Sequence, residues 1–147
     1  RRQRQMCIRD RIRMLKNYLK VQQERFDNKF KFEVLVEIND DLETIKIPPM
    51  LLQPFVENAV EHGIKNIDYE GSIKVQLQKN KGNLNVKISD NGVGFSEKKN
   101  NAHESLSLKI IRERLTAISK GKQKVKIKSS KDIGTKVEFY IPLNETV

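Results

Sequence analysis

Between Pro48 and Lys65 the chain reads Pro-Pro-Met-Leu-Leu-Gln-Pro-Phe-Val-Glu-Asn-Ala-Val-Glu-His-Gly-Ile-Lys, and no other stretch constrains the fold as tightly. Leu51, Leu52, Phe55, Val56, Ala59, Val60 and Gly63 fall on one side of a helix by three-and-four spacing. Glu57, Asn58, Glu61, His62 and Lys65 take the remaining surface, with Asn58, His62 and Lys65 spaced to share a face. Pro48 and Pro49 suit the start of this helix, because proline lacks an N–H that the first turn would leave unpaired anyway. A carboxylate, a carboxamide, an imidazole and an ammonium within two turns of a buried helix are costly unless something polar docks there. Alone, the run reads as an ordinary amphipathic helix with a solvated face. Motifs further along turn the reading toward a ligand site.

A chain of 147 residues is about one domain and long enough to bury a sizeable core. Cys7 is the only cysteine, which excludes a disulfide framework and a cysteine metal site and fits a reducing compartment. His62 and His103 are the only histidines, which excludes a histidine-rich metal centre. The apolar runs are too short to cross a bilayer, and no secretory apolar segment follows the basic start. The expectation is a cytoplasmic domain, reaching a membrane only through segments upstream of it. The formal charge of +10 raises the question of nucleic acid, but its distribution argues against that partner. Residues 1–31 hold 11 Lys/Arg against Asp10, Glu24 and Asp27, leaving only +2 of the total for the rest. That basic stretch lacks the aromatic interleaving of a single-strand-binding platform.

Ile8, Ile12, Leu15, Leu19, Gln22 and Phe26 repeat at alternating spacings of four and three, the seam of a helix packed on a neighbour. Phe30, Phe32, Val34, Val36 and Ile38 alternate with polar residues as a half-buried strand does. After the central helix, Ile73, Val75 and Leu77 predict a strand. Asn80-Lys81-Gly82-Asn83 predicts a hairpin turn, with Leu84, Val86 and Ile88 on the return strand. Residues 90–104 form a polar loop of a length that compact domains usually keep for function. Leu108, Ile111, Leu115 and Ile118 predict a third helix. Val125 and Ile127, a turn around Ile133-Gly134-Thr135, and Val137, Phe139 and Ile141 predict a last hairpin closed by Pro142. This order predicts an α+β sandwich, a mixed sheet with helices packed on one face. Residues 1–28 read as a leading helical segment and 29–147 as the domain proper.

Ser89-Asp90-Asn91-Gly92-Val93-Gly94-Phe95 follows a strand and opens the long loop. Glycines at alternate positions let backbone approach a ligand closely. An aspartate fixed at a strand end can accept a hydrogen bond from an exocyclic amine such as that of adenine. Neither a Gly-x-x-x-x-Gly-Lys-Ser/Thr phosphate loop nor a dinucleotide glycine fingerprint occurs, so a nucleotide must be held in another way.

Together, these motifs resemble the ATP-binding domain of sensor histidine kinases, in the superfamily shared with gyrase B, a heat-shock chaperone and the mismatch-repair ATPase MutL. More narrowly, the chain resembles LytS/YesM-type kinases. The resemblance is carried by Tyr18-Leu19-x-x-Gln22-x-x-Arg25-Phe26, by Ile47-Pro48-Pro49-x-Leu51-Leu52-Gln53-Pro54-x-Val56-Glu57-Asn58-Ala59-x-x-His62-Gly63, and by Asp90-x-Gly92-x-Gly94, Arg112-x-Arg114-Leu115 and Gly134-Thr135-x-Val137. It implies the two-layer α/β sandwich of the GHKL (Bergerat) type. It also implies binding of ATP with Mg2+, with Asn58 as the metal ligand and Glu57 as the catalytic carboxylate. By the same resemblance His62 and Lys65 lie near the phosphates, Asp90 reads the adenine amine, and Gly92 and Gly94 shape the pocket wall. Phe95 and the residues up to 104 belong to a lid; Ser105, Ser107 and Leu108 line the phosphate side, and Thr135 closes the adenine side.

The implied activity is donation of the ATP γ-phosphate to an acceptor histidine. No His-Phe-Leu-Phe-Asn string occurs, so that acceptor is expected in an upstream region, within a homodimer, with a response regulator as the downstream partner and an inner-membrane sensor as the parent protein. One departure bears on activity: Ser105-Leu106-Ser107-Leu108 stands where such kinases carry Gly-x-Gly-Leu. Serine keeps the backbone donors but restricts positive φ, so weakened rather than abolished phosphate binding is expected. The alternative is a degenerate nucleotide-sensing or scaffold domain of the same superfamily without phosphotransfer. From a different class, a basic interaction module would show no Mg2+-dependent nucleotide binding at all.

Overall fold

The computed structural model describes residues 5–94 and 106–143, and the following concerns those residues. The elements run β1 (Met6–Cys7), α1 (Ile8–Arg25), β2 (Phe30–Glu37), β3 (Lys46–Ile47) and α2 (Gln53–Asn58), which continues as a π-wound segment, Ala59–Ile64. Then come β4 (Gly71–Asn80), β5 (Asn83–Asp90), α3 (Leu106–Ile118), β6 (Lys126–Ser130) and β7 (Gly134–Pro142). Five strands form one sheet in the order β2-β4-β5-β7-β6. Only β2 and β4 pair in parallel, Phe30 opposite Gly71; the other three ladders are antiparallel. A parallel pair needs a crossover, and α2 with its π-wound extension lies in the segment that makes it.

Alternation decides which face of the sheet is covered. Ile73, Val75 and Leu77 of β4, Leu84, Val86 and Ile88 of β5, and Val137, Phe139 and Ile141 of β7 are buried. They form one core with Ile8, Ile12, Leu15 and Leu19 of α1, Phe55, Val56, Ala59, Val60 and Ile64 of the central helix, and Leu108, Ile111 and Leu115 of α3. The rings of Phe55 and Phe139 lie 5.0 Å apart at a tilt of 34°, fixing α2 over β7. This is the expected mixed sheet with its helices on one face. The predicted hairpin is present too: Lys81 and Gly82 both take positive φ, +50° and +78°, as the tight turn matched to strand twist requires.

Four details differ from the sequence reading. The central helix starts at Gln53 with Pro54 in its first turn, whereas Pro48 and Pro49 precede it across a sharp bend at Met50, whose φ is +61°. A short antiparallel pair, Met6 with Ile47 and Cys7 with Lys46, ties the start of α1 to that segment; two residues are too few to carry an alternation signal. Ile118 ends α3 at 36% exposure instead of completing its buried stripe. Finally, Gly134 and Thr135 lie in β7 rather than in the turn, and Pro142 pairs opposite Asn83 at the end of that strand.

One polar side chain is deliberately internal. Gln123, buried between α3 and the sheet, donates from Nε2 to the carbonyls of Leu115 (3.2 Å) and Tyr140 (2.6 Å), and its Oε1 accepts the Tyr140 N–H at 2.9 Å. Its amide thus continues the β7 ladder beyond the point where β6 begins, satisfying the Tyr140 N–H and carbonyl, while the Leu115 carbonyl also takes the Ser119 N–H at 3.2 Å.

Candidate functional site

The site is built where the central helix, the end of β5 and the β6–β7 hairpin meet. Glu57 and Asn58 are the last two residues of α2, both half-buried. The helix then widens: Lys65 donates its backbone N–H to Val60 at 3.0 Å, a five-residue step. Such π-wound turns are rare and cluster at functional sites. The wider winding makes positions after Ala59 lag behind α-helical spacing, so Asn58, His62 and Lys65 no longer line up as a three-and-four count predicts. His62 is exposed, and Lys65 Nζ lies 3.6 Å from Glu61 Oε2.

Asp90 ends β5 with its carboxyl largely buried. Oδ1 accepts the Gly92 N–H at 2.8 Å, and the Thr135 N–H also donates to the side chain. Burial pushes the carboxyl up from 3.8 to about 6, and those two N–H groups pull the other way. Near neutral pH Asp90 is a poised acceptor for a donor such as an exocyclic amine, whose hydrogen bond favours the charged form.

Three glycines let the walls close to backbone contact. A Cβ on Gly63 would sit 2.8 Å from Asp90 Oδ1, one on Gly92 would run into the Gly63 carbonyl, and one on Gly134 into the Asp90 carbonyl. The Val93 N–H donates to the Gly63 carbonyl at 3.1 Å, and the Asp132 N–H to the Val93 carbonyl at 2.6 Å. Gly94, at φ +60°, packs against the Ser130 carbonyl. Asn91 anchors the other side: its Oδ1 accepts the Ser72 N–H at 2.7 Å, and its Nδ2 donates to the Glu70 carbonyl at 3.1 Å. The Thr135 hydroxyl lies 2.8 Å from that of Ser129.

The structure therefore brings Asp90, Gly92, Gly94 and Thr135 together, with Asp90 and Gly92 packed on Gly63 of the helix that carries Glu57 and Asn58. Leu108 is buried in α3. Phe95, Ser105 and the side chain of Ser107 lie outside the described residues. Sequence reasoning missed three participants. The sequence reading places Gly63 on the apolar stripe and in the family motif but gives it no contact; a glycine inside a helix costs about 1 kcal/mol against alanine, which is itself a signal of close approach. Arg114 donates from Nη2 to the Pro49 carbonyl at 3.2 Å and ties α3 to the bend before α2. Arg25 reaches Glu61 across 36 positions of sequence, a contact no local pattern announces.

The family model described as "Histidine kinase-, DNA gyrase B-, and HSP90-like ATPase" matches residues 47–145. The chain belongs to this ATPase family. Among curated relatives of this histidine kinase-like ATPase domain, it is 34% identical over 146 residues to the Bacillus subtilis protein YwpD, covering 95% of this chain and 51% of that one. It is 29% identical to sensor protein LytS of Oceanobacillus iheyensis, covering 87% of this chain and 23% of the relative, and 27% identical to the Bacillus subtilis sensor histidine kinase YesM, covering 97% and 25%. The chain thus spans about half the length of YwpD and about a quarter of the two sensor proteins. The same fold occurs in the Acinetobacter baumannii histidine kinase AdeS, at a TM-score of 0.70 and 13% identity over 99% of this chain and 70% of that one. It occurs also in the histidine kinase domain of an Erythrobacter litoralis blue-light activated kinase, at a TM-score of 0.63 and 20% identity over 88% and 59%.

Proposed function

We propose that this ATPase-family domain is the ATP-binding catalytic part of a LytS/YesM-type sensor histidine kinase. In this reading it hands the ATP γ-phosphate to an acceptor histidine in a region upstream of it. The observation that carries the reading is the Asp90 carboxyl, buried, poised near neutrality and seated on Gly63 of the helix that presents Glu57 and Asn58. In this reading an adenine amine donates to Asp90 beside a wall made by Gly92, Gly94 and Thr135. On the same reading Lys65, exposed past Asn58, supplies positive charge toward the phosphates and His62 lies near them, while the N-terminal turn of α3, which holds Ser107, supplies N–H donors.

Asn58 offers a half-buried carboxamide oxygen, a hard ligand suited to Mg2+. Among the described residues no three His, Cys, Asp or Glu side chains gather to hold a metal. A single protein oxygen fits Mg2+, which keeps waters and takes phosphate oxygens rather than filling an all-protein cage. When bound, Mg2+ neutralises charge on the phosphates. Glu57, beside Asn58, is the carboxylate placed to accept a proton from, or to orient, the attacking group.

No helix of the described residues is long and apolar enough to cross a membrane. A cytoplasmic position below an inner-membrane sensor, a homodimer and a response regulator as phosphate acceptor complete the reading. Its test has two stages. Calorimetry should show Mg2+-dependent binding of a non-hydrolysable ATP analogue, and supplied ATP should label a separately added acceptor-histidine domain. Binding without any transfer would make this a nucleotide-sensing domain, and absence of binding would overturn the reading.

A further inference from the structure

The helix that carries Glu57 and Asn58 is held from a second side, by α1. Arg25, the last residue of α1, donates from Nη1 to Glu61 Oε1 at 2.8 Å and to Gln22 Oε1 at 3.1 Å. Its guanidinium lies 4.7 Å from the centre of the Phe26 ring, which limits the directions it can take. Glu61 sits inside the π-wound segment, one turn beyond Glu57, and also faces Lys65. The hydrogen bond from Arg25 leads the causes that hold the Glu61 carboxyl below its ordinary range. Tyr18, two turns earlier on α1, feels the same helix: burial and then the charges of Glu57 and Glu61 push its phenol up to about 12, while Arg25 opposes them.

A π-wound turn is rare, mostly a single turn inside an α-helix, and here it is held by contacts on two sides. On the Asp90 side the enforcement is backbone packing at Gly63. On the α1 side it is the Arg25–Glu61 pair. Both side chains are partly exposed, 47% and 36%, so the pair adds little to global stability. Its leverage is on the register of one segment.

Resting on the kinase reading, we infer that Arg25 is a positioning residue: through Glu61 it holds the π-wound turn in register, so that α1 governs how Glu57 and Asn58 meet the nucleotide. A shift of α1 that separates Arg25 from Glu61 then lowers the competence of the site without opening the core.

The test compares the parent chain with Arg25→Ala, Arg25→Lys, Glu61→Ala and the Arg25→Ala/Glu61→Ala double variant. Three readouts are used: calorimetric affinity for a Mg2+–ATP analogue, Tm, and backbone amide NMR shifts across Glu57–Ile64. Each alanine variant should weaken the analogue about two- to thirtyfold, the range for residues that modulate a distant site, with Tm nearly unchanged. The double variant should lose no more than one single, the non-additivity that marks a coupled pair, and Arg25→Lys should recover most of the affinity. The amide shifts of Glu57 and Asn58 should move in both alanine variants in the same direction. Parental affinity in Arg25→Ala, additive losses, or Arg25→Lys behaving as Arg25→Ala would each overturn the inference. If the parent binds no nucleotide, the kinase reading fails by itself. Unmoved Glu57 and Asn58 amides would then reject the positioning role, and moved ones would retain it for the helix.

Discussion

The α-carbon of Gly63 lies directly against the carboxyl of Asp90, so close that a Cβ there would stand 2.8 Å from Oδ1. A helix residue without a side chain is thus the seat of the residue that closes β5. The first prediction concerns this contact. Gly63→Ala should displace the Asp90 carboxyl and the backbone stacked beside it, at a cost of about 1–3 kcal/mol as for other overpacked sites. Thermal denaturation should show the loss, and adenine-nucleotide affinity should fall more than stability alone explains.

Asp90 predicts a pH dependence with a definite sign. Its folded value, about 6, lies above the ordinary 3.8, so the folded chain holds this proton more tightly than the unfolded chain. The contribution to stability is greatest below pH 4, declines as pH rises to 6 and is flat beyond. The full span is about 3 kcal/mol for a two-unit shift. Asp90→Asn should remove this component from a Tm series between pH 4 and 8. It should also weaken ATP and narrow the preference for ATP over GTP, because an amide loses charge assistance and can present a donor instead.

Asn58→Ala should abolish the Mg2+ dependence of nucleotide binding while leaving Tm within a few degrees. Asn58 is half-buried and outside the hydrophobic core, so its removal leaves no cavity there. Unchanged Mg2+–ATP affinity by calorimetry would remove Asn58 from the metal site.

Ser107→Gly should tighten Mg2+–ATP. Ser107 lies in the first turn of α3, where unpaired N–H groups and the helix dipole favour phosphate by about 0.3–2 kcal/mol. Glycine removes the Cβ that restricts that turn, partly offset by a more flexible free chain. Weaker binding by the variant would show that the serine hydroxyl itself contacts phosphate.

Gln123→Ala serves as the counterpart far from the nucleotide. It strands the Tyr140 N–H and carbonyl, while the Leu115 carbonyl keeps the Ser119 N–H, and each buried group left unsatisfied costs about 1–3 kcal/mol. A large fall in Tm with unchanged analogue affinity in the folded fraction is the expected result.

Most of the architecture was legible because burial imposes periodicity. The α1 seam from Ile8 to Leu19, the alternations in β2, β4, β5 and β7, and the Lys81-Gly82 turn each follow from local chemistry. What was not legible depends on distance or on winding. The lag introduced after Ala59 has no residue signature of its own, and the two-residue pairing of Met6–Cys7 with Lys46–Ile47 is too short to show alternation. Asp90 and Asn91 announced a turn. That one side chain would settle on Gly63 while the other pinned Ser72 and Glu70 needed the folded chain. The Arg25–Glu61 bridge and the Gln123 amide are of the same kind, contacts made only after the layers have packed.

The stretch from Asp90 to Gly94 is stitched by main-chain hydrogen bonds to β4, to the central helix and to the β6–β7 hairpin at once. Amide protons at Val93 and Asp132 should therefore exchange with solvent only when the sheet itself opens, as slowly as those of the inner strands. On the proposed reading, a nucleotide arriving at this wall meets a surface that is already ordered, and none of its binding free energy is spent on freezing that part of the chain.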